Sequence, residues 1–257
     1  MRYMVMSGTS DATKVIKFLH EDKNNYIIAT TVTDYGAEIA KSAGANEVIS
    51  KALREEDFIK VIGEKNIEAL IDATHPFASV ATETAISSCQ KAGIRYIRYE
   101  RASTILPESD LIIKVATFED AAAKAKELLV NEEDKIMHLA GVMRLKTTVD
   151  QIDANKVIAR VLPNNFSITK TLECGVPAEN IIAMQGTYSK ELNMALMKEY
   201  NVSAIITKES GESGGAETKI NAALELDIPT ILVLRPEIKE LENHDVVRSI
   251  EELEKII

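Results

Sequence analysis

Short runs of consecutive apolar residues alternate along the chain with stretches whose apolar positions fall three and four apart. The first run, YMVMS, is followed by DATKVIKFLH, in which Val15, Ile16 and Leu19 share one helical face. YIIATTV, NEVIS, EALIDAT and IRYIRYE repeat the strand signal, with helical patterns around EEDFIKVIGE and SVATETAISSCQKAG. Continuous apolar strands separated by helices predict a parallel sheet covered on both faces.

The alternation breaks near YERASTILPESD, where Pro107 falls, and then restarts. LIIKVA, KIMHLAG, VIARVLP, NIIAMQG, SAIITKES and IPTILVLRP read as strands. Thr117 with Asp120 and Ser249 with Glu252 form capping boxes, and Gly175 closes a helix. The expected fold class is α/β: two doubly wound, mainly parallel-sheet, Rossmann-like domains with a cleft between them, about five strands each. Their boundaries fall at 1–103 and 104–257, with the last helix returning to the first domain.

A chain of 257 residues suits two such domains. The net charge of −10 and the absence of tryptophan argue against nucleic acid or an anionic membrane as partner. An anionic ligand would need a local basic pocket. Cys89 and Cys174 stand far apart without a CxxC, so reduced packing cysteines are expected and a protein-bound metal is not. The N-terminal apolar run is too short for a signal peptide and no window approaches a membrane span, which predicts a cytoplasmic protein.

In open parallel sheets, ligands bind beyond the carboxyl ends of the strands. SGTSDA follows the first strand. Gly8 permits a tight turn, and Thr9, Ser10, Asp11 and Ala12 lead into a helix whose first N–H groups suit an anion. GxGxxG is missing, and a plain turn capped by Ser10 or Asp11 explains the residues as well. After the second strand, TVTDYG places Thr33 and Asp34 where dinucleotide folds hold ribose hydroxyls; Asp34 and Gly36 as simple turn formers compete. DATHPFA sets Asp72, Thr74 and His75 at the end of the fourth strand and stiffens the loop with Pro76. Either these groups face a ligand, or Asp72 and His75 only shape the loop.

In the second half, Lys208 leaves an apolar strand, Ser210, Gly211, Ser213, Gly214 and Gly215 follow, and Lys219 lies in the next helix. Lysines bracketing a glycine–serine loop read as an anion cradle, although not a Walker A motif. Arg160 in ARVLP and Gln185, Gly186 and Tyr188 in MQGTY end other strands of this half.

In this order, GTSDA, TDYG, DATHPFA, YIRYER, ARVLP, MQGTYSKELN, TKESGESGGAETKINAA and IPTILVLRP resemble the precorrin-6A reductase family over about residues 3–236. TDYG is closer to the cobalt-precorrin-6A branch of the anaerobic cobalamin pathway. HLAGVMRLK departs from the family pattern and leaves Arg144 without an assigned role.

The resemblance implies an NAD(P)H-dependent oxidoreductase acting on a CH–CH bond, which reduces (cobalt-)precorrin-6A to (cobalt-)precorrin-6B. No flavin is implied. The first domain would hold the dinucleotide through Gly8, Thr9, Ser10, Asp11, Ala12, Thr33, Asp34, Asp72 and Thr74. The second would hold the carboxylate-rich tetrapyrrole through Arg160, Tyr188, Ser210, Gly214, Gly215 and Lys219. Asp34 would repel a 2′-phosphate, which favours NADH, with NADPH as the alternative. Lys208 ranks ahead of His75 as proton donor, with Tyr188 and water behind them. Other cobalamin-pathway enzymes are expected as partners by substrate channelling. A transferase with a nucleotide-bearing donor, and a non-catalytic nucleotide- or tetrapyrrole-binding protein, are the competing readings.

Overall fold

The computed structural model describes residues 1–103, 106–211 and 215–257. The chain divides into a first unit of Met1–Ala102 with Pro236–Ile257 and a second unit of Ser103–Arg235. The sequence boundary at 103/104 left residues 236–257 largely with the second domain and returned only the last helix. In the structure the whole segment belongs to the first unit.

The first unit runs β1 (Arg2–Met6), α1 (Ser10–Glu21), β2 (Tyr26–Thr31), α2 (Asp34–Ser42), β3 (Glu47–Ser50), α3 (Glu55–Lys65), β4 (Ala69–Asp72), α4 (Ser79–Ala92) and β5 (Arg95–Tyr99). The second contains β6 (Ile112–Val115), α5 (Phe118–Leu128), β7 (Lys135–His138), α6 (Leu145–Val149), β8 (Val157–Val161), α7 (Asn165–Glu173), β9 (Ile181–Ala183), α8 (Lys190–Glu199), β10 (Val202–Lys208), α9 (Ala216–Glu225) and β11 (Thr230–Val233). β12 (Asp245–Val247) and α10 (Ile250–Glu254) then complete the first unit.

The first sheet has the order β12-β5-β4-β1-β2-β3 and the second β6-β11-β10-β7-β8-β9. Each therefore has six strands among the described residues, against the expected five or so. The pairings are parallel. The strand order reverses between β1 and β4 in one sheet and between β7 and β10 in the other. Crevices open at such switch points, beyond the carboxyl ends of the strands.

β1 shows why both faces are covered. Tyr3 and Val5 pack with Val15, Ile16 and Leu19 of α1. Met4 and Met6 point the other way, toward Phe58, Ile62 and Ile86. In the second sheet, Met137 and Ile205 share a core with Met197, Ala222 and Ala223. At the end of β2, a Cβ on Gly36 would lie 2.4 Å from Thr31 Oγ1, so only glycine lets α2 start so close to the strand.

Candidate active site

At the switch point of the first sheet, the loop after β1 is tied to its neighbours by hydroxyls. Ser7 donates to the Thr30 carbonyl at 2.9 Å. Thr9 donates to the Ala73 carbonyl at 2.7 Å and accepts from the Ala12 N–H at 3.1 Å. Thr9 is thus the N-cap of α1, a correction to Ser10 or Asp11. It also fastens the β1 loop to the β4 loop. Gly8, at φ +111°, takes a backbone conformation that L side chains rarely adopt. Gly8 and Ser10 are exposed, and the first-turn N–H groups of a helix have no intrahelical partner. These features fit an anionic phosphate. Asp11 is buried and pairs with Arg101 at 2.6 Å, so its carboxylate is engaged by the protein.

DATHPFA resolves into a ledge and a support. Asp72 has no exposed surface. Its Oδ1 accepts from the Thr74 N–H at 2.9 Å, from Thr74 Oγ1 at 2.6 Å and from Arg98 Nη1 at 2.9 Å. Its Oδ2 accepts from Thr82 at 2.6 Å and Tyr96 at 2.9 Å. The expectation that Asp72 contacts the cofactor is corrected: burial and these donors leave no open face for a ligand. Burial pushes its carboxyl pKa upward, but Arg98 and the threonine donors outweigh that and hold it below the ordinary range. Arg98 also donates to the Thr74 carbonyl at 3.2 Å, which fixes the ledge from beneath. His75, half-buried, accepts at Nδ1 from the Phe77 N–H at 3.1 Å. A neutral ring with Nδ1 accepting carries its proton on Nε2.

After β2, Thr33 caps α2 by accepting from the Gly36 N–H at 3.0 Å. Asp34 is the exposed first residue of α2, and Ser50 donates to it at 3.2 Å. An acid held at the end of β2 suits a ribose diol.

In the second unit, cations gather at the strand ends. Lys208 ends β10, Arg160 lies in β8, Lys219 sits in α9, and Arg144 ends the 3-10 turn Val142–Arg144 that follows β7. Burial and then Arg144 lower the Lys208 pKa to about 8. Burial, Arg160 and Lys208 lower that of Lys219 to about 7. Burial lowers Arg160 as well, opposed by Tyr188. Arg160 donates to Asn193 Oδ1 at 2.8 Å and stands 5.9 Å from the Tyr188 ring, whose hydroxyl donates to the Gln185 carbonyl at 2.8 Å. Gly215, at φ +62°, caps α9, and Ser210 is buried. Ser213 and Gly214 lie outside the described residues. The structure thus brings Arg160, Tyr188, Lys208 and Lys219 together.

Sequence reasoning missed Arg98, Arg101 and His138. His138 is buried at the end of β7, with Nδ1 3.0 Å from Thr148 Oγ1 and Nε2 3.1 Å from the Gly141 carbonyl. A carbonyl only accepts, so Nε2 donates and Nδ1 accepts from the threonine. Burial lowers its pKa to about 4, which keeps the ring neutral at physiological pH. Among the described residues, no His, Cys, Asp and Glu cluster could hold a metal ion, and no helix is long and apolar enough to cross a membrane.

A family model described as "Precorrin-6x reductase CbiJ/CobK" matches residues 2–257. Proteins named cobalt-precorrin-6A reductase from Methanothermobacter thermautotrophicus and Methanocaldococcus jannaschii are each 42% identical to this chain. Those matches cover 98% of this chain and 82% of the first relative, and 93% and 92% for the second. The solved structure of CobK precorrin-6A reductase aligns at a TM-score of 0.74 over 99% of this chain and 95% of that one; at 19% identity the likeness concerns the fold.

Proposed function

The chain belongs to the precorrin-6x reductase family, and on that premise we propose that it reduces a ring double bond of cobalt-precorrin-6A with NADH bound by the first unit. A reduced nicotinamide supplies the hydride when bound. The turn at Gly8–Ser10 and the start of α1 hold the phosphates, with Arg101 nearby through its pair with Asp11. Asp34 accepts from the ribose hydroxyls and disfavours a 2′-phosphate. Lys51, just past β3, turns to Asp57 at 2.9 Å, which leaves Asp34 to set the local charge. Thr74 and His75 form the ledge near the ring to be oxidised.

The gathering of Lys208, Lys219, Arg160 and Arg144 in a chain of net charge −10 carries the substrate reading. Like charges packed together depress one another's proton affinity, and carboxylates relieve that cost. A corrin precursor supplies several. Lys208, whose pKa is drawn down to about 8, then delivers the proton to the carbon next to the one that receives hydride. His75 is the second choice.

An anaerobic assay with the cobalt-containing and cobalt-free substrates, and with NADH and NADPH, tests this. Oxidation of the nicotinamide that depends on the corrin precursor is expected. Binding without turnover would point to a carrier, and consumption of another donor to a transferase.

A further inference from the structure

The residues between β7 and α7 present apolar side chains to solvent beside the cation cluster. Met143, Leu162 and Phe166 are 67%, 51% and 61% exposed. Met143 stands on the turn after β7, Leu162 directly follows β8, and Phe166 lies in the first turn of α7. The Val142–Arg144 turn packs against both β8 and α7, which brings the chain at Met143, Leu162 and Phe166 to one end of the sheet. Exposed apolar groups gathered at a sheet's ligand-binding edge mark a recognition surface more often than chance.

The segment is also held in place. His138 grips the Gly141 carbonyl on one side and the Thr148 hydroxyl on the other, and so fixes the stretch that carries Met143 and Arg144. Gly141, at φ +89°, makes the sharp exit from β7. The Arg144 guanidinium lies 5.2 Å over the Phe118 ring, a stacking that steadies the charge at the rim of the apolar patch.

Accepting the proposed function, we propose that Met143, Leu162 and Phe166 form a shelf for one face of the macrocycle, and that Arg144 takes a carboxylate at its edge. The occupant follows from complementarity. A tetrapyrrole precursor is an apolar disc rimmed with carboxylates; here exposed apolar side chains stand beside Arg144, with Arg160 and Lys208 on the strands either side of β7. The shelf therefore reads the ring, while the lysines read its charge.

All three probe residues, Met143, Phe166 and Arg144, lie at the surface, so their replacement spares the core. Met143→Ser and Phe166→Ser should each raise the KM for cobalt-precorrin-6A by about fivefold or more and leave the KM for NADH unchanged. Arg144→Ala should do the same, with Arg144→Lys restoring part of the loss. Lys219→Ala is measured alongside. If it raises the substrate KM while the shelf variants do not, the shelf is wrong and the proposed function stands. If none of the variants changes the substrate KM, both fall. If the shelf variants change only the sedimentation coefficient, the patch is a contact between copies of the chain and the shelf is overturned.

Discussion

Arg98 Nη1 meets Asp72 Oδ1 at 2.9 Å, with 1% and 0% of the two side chains exposed. The two residues are direct partners in the parallel register of β4 and β5. Breaking a buried pair from one side strands the other charge, at a cost of about 3–5 kcal/mol. Arg98→Met should therefore lower the urea midpoint sharply, and Asp72→Asn added to it should recover a large part. A single variant that unfolds at the wild-type midpoint would remove the pair from the account of the ledge.

On the proposed reading, Asp34 sets the cofactor preference. The ratio of kcat/KM for NADH to that for NADPH should exceed tenfold, about 1.4 kcal/mol of differential transition-state binding. Asp34→Ser should narrow the gap chiefly through the NADPH term. A preference for NADPH in the wild type sinks the argument.

Substrate affinity should depend on pH through the two lysines. Lys219 and Lys208 carry their charge below pH values of about 7 and about 8 and lose it as the pH rises through them. The KM for the corrin precursor should therefore climb above about pH 7, and Lys219→Ala should flatten that rise. Carboxylates raise the lysine pKa values on binding, so calorimetry near pH 8 in buffers of different ionisation enthalpy should register proton uptake. For folding the sign is opposite. These lysines hold protons less tightly folded than unfolded, so their stability cost is full below about pH 7 and is relieved as the pH approaches 10.5.

The proton donor can be assigned by single-turnover kinetics with deuterated cofactor and solvent. Lys208→Met should slow the chemical step by ~10² or more and alter the solvent isotope effect; His75→Gln should do less. Wild-type behaviour in both variants would leave water or a substrate carboxyl as the source.

The alternation that predicts the two parallel sheets is visible because their strands are buried on both faces, as Met4 and Val5 illustrate. α2 left a weaker trace: it is nine residues long and Ala40 is its one buried residue. β12 is three residues in a polar stretch, and its strand character comes from pairing with β5 rather than from its own composition. The polar residues of the first site were readable as a group, but not their division of labour. Thr9 and Ser10 are adjacent hydroxyls, and which of them caps α1 depends on the reach to Ala73 across the sheet. Asp72 looked like a ligand-facing acid because its counter-ion lies a strand away, inside IRYIRYE, where an arginine reads as surface. In the second unit the lysines were legible from their glycine–serine loop, whereas His138 sits in an apolar run that conceals its bonds to the following turn.

The return of β12 to the first sheet bears on the order of folding during synthesis. Arg95 of β5 waits for Asp245, 150 positions later, before their 2.6 Å ion pair can form. At ribosomal speeds of about 5–20 residues per second, that gap lasts roughly eight to thirty seconds. Throughout it, β5 can pair with β4 alone, and its outer edge is open to recruit another nascent chain. The second unit, contiguous from Ser103 to Arg235, has no such wait and can close its own sheet first. Arg95, the exposed first residue of β5, puts a charge on that open edge, a feature that discourages pairing with another chain.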